Sequence, residues 1–299
     1  MLKLKNISVA FKDKVVLDNL SLTANKGEII GLAAPNGTGK TTLFNVMANF
    51  LKPTSGEVLF NGKYGYHTEK EKLYIHKHMA TFPDQDDLFD ELSGVDHLKL
   101  YGNMWKGSAQ HIPEIIDRLK MGDYVKKKAG TYSLGMRQRL CFAMMAAADT
   151  PVMLMDEVMN GLDFSNVALI SNYLIDMKEE QKLIFVSSHL LENLDLYADR
   201  VLFLKDGKIV QQQQLNEKDE SHIKIVINPN EYDRLKKDFE LPEKHIYIGK
   251  RLLCIPLAKM SIPEQIKWIE RLLIFNENEL TIGALGTVEY YEKHYHSTD

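Results

Sequence analysis

Apolar positions along the first two thirds of the chain keep switching between the rhythm of a strand and the rhythm of a helix. Ile7 to Phe11 and Val15 to Leu22 read as two strands joined by a turn at Lys12-Asp13. Glu28 to Ala33 is a short apolar run bounded by Gly27 and by Pro35-Asn36-Gly37, which predicts a buried strand followed by a turn. From Lys40 onward, Leu43, Phe44, Val46 and Met47 have helical spacing. Pro53-Thr54-Ser55-Gly56 closes that unit, and Val58 to Phe60 resumes as strand before an Asn61-Gly62 hairpin turn.

The middle third is different. Leu98, Tyr101 and Met104, then Ile112, Ile115, Ile116 and Leu119, recur at helical intervals between about Asp90 and Lys128, with few strand signals. This predicts a helical subdomain, about residues 86–150, inserted into an α/β core and ending in a helix over Ser133 to Ala148. Beyond it come a strand at Val152 to Met155, a helix at Val167 to Glu180 and a strand at Leu183 to Ser187. A hairpin follows, with Val201 to Leu204 and Lys208 to Val210 flanking Asp206-Gly207. Strands alternating with helices predict a mainly parallel sheet with helices on both faces.

Gln211 to Gln214 reads as a break. After it the order is strand (His222 to Ile227), helix (Glu231 to Phe239), two strands (Ile246 to Ile248, Leu252 to Leu257) and helix (Pro263 to Leu273), with a final helix from Thr287. A second, smaller α+β domain with a ferredoxin-like order is expected. The domain boundaries are accordingly 1–215 and 216–299.

Bulk properties narrow the options. The 299 residues carry a formal net charge of -4, which weighs against a nucleic-acid partner. Two cysteines, Cys141 and Cys254, make no disulfide framework and fit a reducing compartment. No apolar stretch approaches the roughly 18 residues needed to span a bilayer. The longest, Cys141 to Ala148, reads as a buried helix. A membrane role would have to come through a partner.

The chemistry concentrates in a few places. Ala34-Pro-Asn36-Gly37-Thr38-Gly39-Lys40-Thr41, followed by Thr42, is a phosphate-binding loop of the Walker A type with Ala at its first position. Glycines let backbone N–H groups close around phosphates, and the helix beginning near Lys40 adds the positive end of its dipole. Lys40 supplies a point charge for the β- and γ-phosphates, and Thr41 a hydroxyl for Mg²⁺. Val152-Met-Leu-Met-Asp156-Glu157 is an apolar strand ending in two carboxylates. Asp156 is the candidate Mg²⁺ partner and Glu157 the candidate general base. Without the upstream loop this second motif would be an ordinary acidic strand end.

With those two motifs in place, Tyr132-Ser133-Leu134-Gly135-Met136-Arg137-Gln138-Arg139 resembles the signature sequence of ATP-binding-cassette (ABC) ATPases, in a Ser-Leu-Gly-Met variant like that of bacterial exporters. Further segments match in the family's order. Gln85 resembles the Q-loop glutamine, Asn160-Gly161-Leu162-Asp163 the D-loop and His189 the switch histidine. Phe11 resembles the aromatic that stacks on adenine. The resemblance covers about Met1 to Val210. It implies an ABC cassette of the P-loop NTPase fold that binds ATP and Mg²⁺ and hydrolyses ATP. Asn36 to Thr42, Phe11, Ser133, Gly135 and Asp163 would hold nucleotide. Thr41, Gln85 and Asp156 would serve the metal, and Glu157, His189 and Gln85 the chemistry. It implies two partners, a polytopic membrane permease and a second cassette, either an identical copy or a related subunit. The chain would then be cytoplasmic, held on the inner face of the cell membrane by its permease.

Departures from the pattern are Ala34, Val158-Met159 and Phe164; none removes a phosphate or metal ligand. Thr287-Val-Glu289-Tyr-Tyr291-Glu292 resembles the acidic-aromatic last helix of many exporter ATPases. Export of an antibiotic, peptide, lipid or ion is expected, with an importer ATPase or a non-transport ABC regulatory factor as the alternatives. A ribosome-bound factor usually carries two cassettes, and a chromosome-associated ATPase separates Lys40 from Ser133 by a long coiled coil. Neither feature is present here.

Overall fold

The computed structural model describes residues 1–12, 14–105, 109–215, 221–258, 260–276 and 280–295. The chain divides into two units, residues 1–214 and 215–299.

In the first unit, β1 (Leu2–Phe11) and β2 (Lys14–Ala24) pair antiparallel, and β4 (Ser55–Phe60) joins the other edge of β1. Alternation buries Leu2 and Leu4 and, after a register shift between Leu4 and Ile7, Ile7 and Val9 of β1. The expected turn falls partly on Asp13, which lies outside the described residues. Asn61 and Gly62 both take positive φ, 53° and 67°, as a tight turn after β4 requires.

The second sheet has six strands in the order β5 (Met79–Thr81), β6 (Val152–Met155), β7 (Leu183–Ser187), β3 (Glu28–Ala33), β8 (Arg200–Lys205) and β9 (Lys208–Gln214). Every neighbouring pair is parallel except β8 with β9, which form the expected hairpin. The central strands β6 and β7 are buried at every position. Helix α6 (Phe164–Glu179) packs on β3 and β7 and helix α7 (Leu191–Tyr197) on β3, while α1 (Lys40–Met47) follows β3.

One expectation fails here. Gln211 to Gln214 is no break; these glutamines complete β9 and pair with Phe203 to Arg200. Gln213 is 3% exposed, so the polar run is held by ladder hydrogen bonds rather than released as a linker.

Between β5 and β6 lies the helical segment, with α3 (Gly94–Met104), α4 (Ile112–Arg118) and α5 (Leu134–Ala148); α2 (Glu69–His76) precedes β5. Ser93 caps α3 in a capping box with Asp96. The small residues of α5 let it sit almost wholly buried from Leu140 to Ala148.

The second unit runs β10 (His222–Val226), α8 (Pro229–Asp238), β11 (Ile246–Ile248), β12 (Leu252–Pro256), α9 (Ile262–Leu273), β13 (Leu280–Gly283) and α10 (Thr287–Tyr295). Its sheet order, β11-β12-β10-β13, is antiparallel at every step, the split βαβ arrangement of a ferredoxin-like fold. Ile223, Ile225, Leu253 and Ile255 pack with Leu235, Trp268 and Leu272 from α8 and α9. Ile248, Cys254 and Leu285 form a second cluster with Tyr290 of α10, and Lys224 pairs with Glu289 at 2.6 Å.

Candidate functional site

The loop between β3 and α1 is shaped by two glycines in the left-handed region, Gly37 (φ 76°) and Gly39 (φ 106°). A Cβ on Gly39 would lie 3.2 Å from the Val16 carbonyl oxygen and 3.0 Å from its side chain, so glycine is required there twice over. No side chain caps α1, whose N-cap is Gly39 itself. Lys40 is 6% exposed and folds back over the loop, its Nζ donating to the carbonyls of Ala34 (2.7 Å) and Pro35 (3.2 Å). Burial lowers its pKa below the ordinary 10.5, partly countered by Asp156 and Glu157. A buried ammonium satisfied only by two carbonyls is primed for an anion.

Asp156 and Glu157 follow β6. The Thr41 hydroxyl donates to Asp156 Oδ2 at 2.7 Å. Ser187, at the end of β7, donates its hydroxyl to Asp156 Oδ1 and accepts the Glu157 backbone N–H at 2.9 Å. One hydroxyl thus fixes both acidic residues. Glu157 has φ 55°, a left-handed conformation unusual for glutamate. Its carboxylate meets His189 Nε2 at 2.5 Å through Oε1 and accepts from Asn160 Nδ2 through Oε2.

A cleft of about 470 Å³ opens over these groups, lined among others by Thr41, Gln85, Gln138, Asp156, Glu157 and Asn160. Gln85 donates its amide N–H to Gln138, which in turn donates to the carbonyls of Glu157 (3.0 Å) and Val158 (2.8 Å). The donor set of the cleft is all oxygen, which suits Mg²⁺. Among the described residues no group of three or more His, Cys, Asp or Glu side chains converges into a cage. A few oxygens beside a phosphate loop, with Gln85 Oε1 left without a partner, fit a cation shared with nucleotide phosphates.

The other expected residues lie apart from these contacts. Ser133 caps α5, accepting the Met136 N–H at 3.3 Å. Leu134 is 61% exposed and lies against Gly161, where an added Cβ would come within 2.7 Å of its side chain. Asp163 caps α6 through the Asn166 N–H at 2.9 Å, and that hydrogen bond, with one from Ser165, lowers its pKa. Phe11 is half exposed at the end of β1. The departures are accommodated: Val158 and Met159 are buried and Phe164 projects outward at 87% exposure. Both cysteines are buried and their thiols pushed up to about 12, which removes them as nucleophiles.

Gln138 and Asn160 lie inside the signature and D-loop segments without a role of their own in the sequence reading, and Ser187, two residues before His189, had none either.

Comparison with known proteins agrees with this geometry. The ABC transporter family model matches residues 17–160. The ABC transporter ATP-binding protein YhcH of Bacillus subtilis is 32% identical over 273 residues, covering 89% of this chain and 87% of the relative. The lantibiotic transport ATP-binding protein SrtF of Streptococcus pyogenes is 27% identical, over 72% of this chain and 91% of its own length. Among solved structures, a bacterial ABC transporter cassette described as dimeric superposes with a TM-score of 0.66 at 23% identity, over 73% of this chain and all of that one.

Proposed function

The chain belongs to the ABC transporter ATP-binding proteins, and on that premise we propose that it is the motor of an export system, working as one half of a dimer on a separate membrane permease. It is an ATPase of that family. The observation that carries the catalytic reading is the convergence of Thr41, Asp156 and Glu157 on one cleft beside the Lys40 loop, with His189 on the Glu157 carboxylate.

Lys40 and the loop N–H groups bind the β- and γ-phosphates, and the lysine trades two carbonyls for phosphate oxygens of full charge. Asn36 to Thr42 surround the phosphates, and Phe11 supplies a flat apolar face for the adenine. Thr41, Asp156 and Gln85 hold Mg²⁺, which when bound neutralises charge developing on the transferred phosphoryl group. Glu157 takes the proton of the attacking water. His189 and Asn160 orient its carboxylate from either side, and Ser187 fixes the turn that presents it.

Ser133 and Gly135, with Asp163 beyond them, complete the site of a second copy. A helix N-terminus at α5 faces the γ-phosphate held by the partner's Lys40 loop. Closure of two such sites around ATP, and release after hydrolysis, is a ligand-biased two-state switch.

A groove beside Gln85, lined by Phe50, Phe82, Pro83, Phe89, Leu100 and Tyr101 among others, supports docking of the permease. Phe50 and Phe89 are 69% and 58% exposed there. Among the described residues no helix is long and apolar enough to cross a membrane, so the pathway itself belongs to that permease.

Export is favoured by the Ser-Leu-Gly-Met signature and by the likeness to a lantibiotic transport protein. The test is reconstitution with the co-purifying membrane protein in vesicles that expose this chain outward. ATP added outside should drive solute into the lumen. ATP-driven loss of solute from the lumen would identify an importer.

A further inference from the structure

Amide orientation can be settled in one chain of contacts. Gln138, on the first turns of α5, is 2% exposed. Its Nε2 lies 3.0 Å from the Glu157 carbonyl and 2.8 Å from the Val158 carbonyl. A backbone carbonyl only accepts, so both must face the Gln138 NH₂ group, and the Gln138 oxygen must face the other way. That oxygen meets the side chain of Gln85 and only accepts in turn, so Gln85 must present its own NH₂ to it. The Gln85 oxygen is therefore the atom left over. Oε1 is buried and has no hydrogen-bond partner, and Gln85 lines the cleft that also holds Thr41 and Asp156. A buried acceptor without a donor is costly, and a cation or a donor reaching it would relieve that cost.

The same helix grips Gln85 a second time. Arg137 reaches the Gln85 carbonyl at 3.4 Å and forms an ion pair with Asp90 at 2.6 Å. The signature helix thus holds the backbone and the side chain of Gln85, and through Gln138 it also holds the turn that carries Glu157.

We propose that Gln138 is a positioning residue for the cation site: it fixes which end of the Gln85 amide is offered to Mg²⁺ and ties that amide to the Glu157 turn. This rests on the reading of the cleft as a nucleotide-metal site. Both ends of the Gln138 amide are taken by protein partners, so it acts on the site through Gln85. It acts by denying Gln85 the flipped state, in which an NH₂ group would point at the cation and repel it. It also makes cation loading and the placement of Glu157 one event, because both pull on the same side chain.

The test titrates Mn²⁺, as a spectroscopic stand-in for Mg²⁺, into the full chain with a non-hydrolysable ATP analogue, reading free Mn²⁺ by electron paramagnetic resonance. No turnover is involved. Gln138→Met keeps length and bulk while removing both donors and the acceptor. It should raise the Mn²⁺ midpoint about tenfold, the usual cost of removing a group that orients a metal ligand. Affinity for the analogue in EDTA should not change. Gln85→Ala should raise the midpoint at least as far, and the double variant no further, because the two changes remove one interaction. Gln138→Leu replaces the methionine variant if thermal unfolding shows that one to be damaged. An unmutated midpoint in the folded apolar variant beside a raised one in Gln85→Ala, or additive losses in the double variant, overturns the proposal. An unmutated midpoint in Gln85→Ala instead overturns the metal reading of the cleft on which it rests.

Discussion

The two helix N-termini proposed to meet phosphate are prepared in opposite ways. At α1 the N-cap is a glycine, no side chain satisfies the first turn, and the buried Lys40 lies across the loop. Thr41, Asp156, Glu157 and His189 are already linked by hydrogen bonds beside it. At α5 the N-cap is Ser133, whose hydroxyl is spent on the Met136 N–H, and its neighbour Leu134 is 61% exposed. The first terminus is half of a site with its chemistry assembled. The second is a finished helix end that is stable alone and has surface to spare. Such a difference is what a shared site requires, since one terminus must hold nucleotide in an isolated subunit and the other must wait for it.

The comparison is sharpened most by Glu157→Gln, which keeps the shape of the α1 side and removes only its base. Turnover should drop by about 10²–10⁴-fold while ATP still binds, and the ATP-bound dimer should accumulate. Phosphate release and light scattering with ATP and Mg²⁺ check both. Undiminished turnover would move the base role elsewhere, with His189 next in line.

Lys40→Ala comes next. Losing a charged hydrogen bond to phosphate is worth about 1.5–3 kcal/mol, so nucleotide affinity should fall roughly 10- to 150-fold in an equilibrium titration. A folded variant with full affinity would mean that the lysine seen over the loop never reaches the phosphates.

On the α5 side, cap and ligand can be separated. Aspartate is as good an N-cap as serine, so Ser133→Asp should leave the melting temperature within a few degrees of the unmutated value. It would nevertheless set a negative charge against the partner's γ-phosphate, and hydrolysis should fall more than tenfold, since like charges repel strongly in a desolvated site. A Ser133→Asp protein with normal hydrolysis would reduce Ser133 to a cap.

The smallest effect is one of pH. Burial holds the Lys40 pKa below 10.5, and a bound phosphate would raise it. Nucleotide affinity should therefore be at full strength below the depressed pKa of the free protein and weaken as pH rises through it. ADP titrations from neutral to alkaline pH should show that decline, and Lys40→Ala should abolish it.

How legible this was in the sequence depended on how local each feature is. Gly37, Gly39 and Lys40 act through the backbone of one loop, and β3, β6 and β7 are short apolar runs buried on both faces, so pattern alone placed them. Asp163 moved the start of α6 to Phe164, upstream of the apolar rhythm, by accepting the Asn166 N–H as N-cap. The helix α2 was missed because only Ile75 is buried in a run of alternating charge. β5 was missed because it has three residues and pairs only with β6. β13 escaped because an edge strand of mostly exposed positions carries little alternation. In the site, Gln138 was legible only as part of the signature segment, and the roles of Gln138 and Ser187 were not, because those roles consist of partners far away in sequence.

A site completed by two copies is open to a direct mixing experiment. Lys40→Ala and Ser133→Asp chains, each inactive alone, are combined in equal amounts and assayed for ATP hydrolysis. In the mixed dimer one composite site carries both lesions and the other carries neither. Half of the dimers are mixed, so hydrolysis should return to about one quarter of the unmutated level if each intact site turns over on its own. Hydrolysis by the Ser133→Asp chain alone at the unmutated rate, with no dimer formed in ATP, would contradict it.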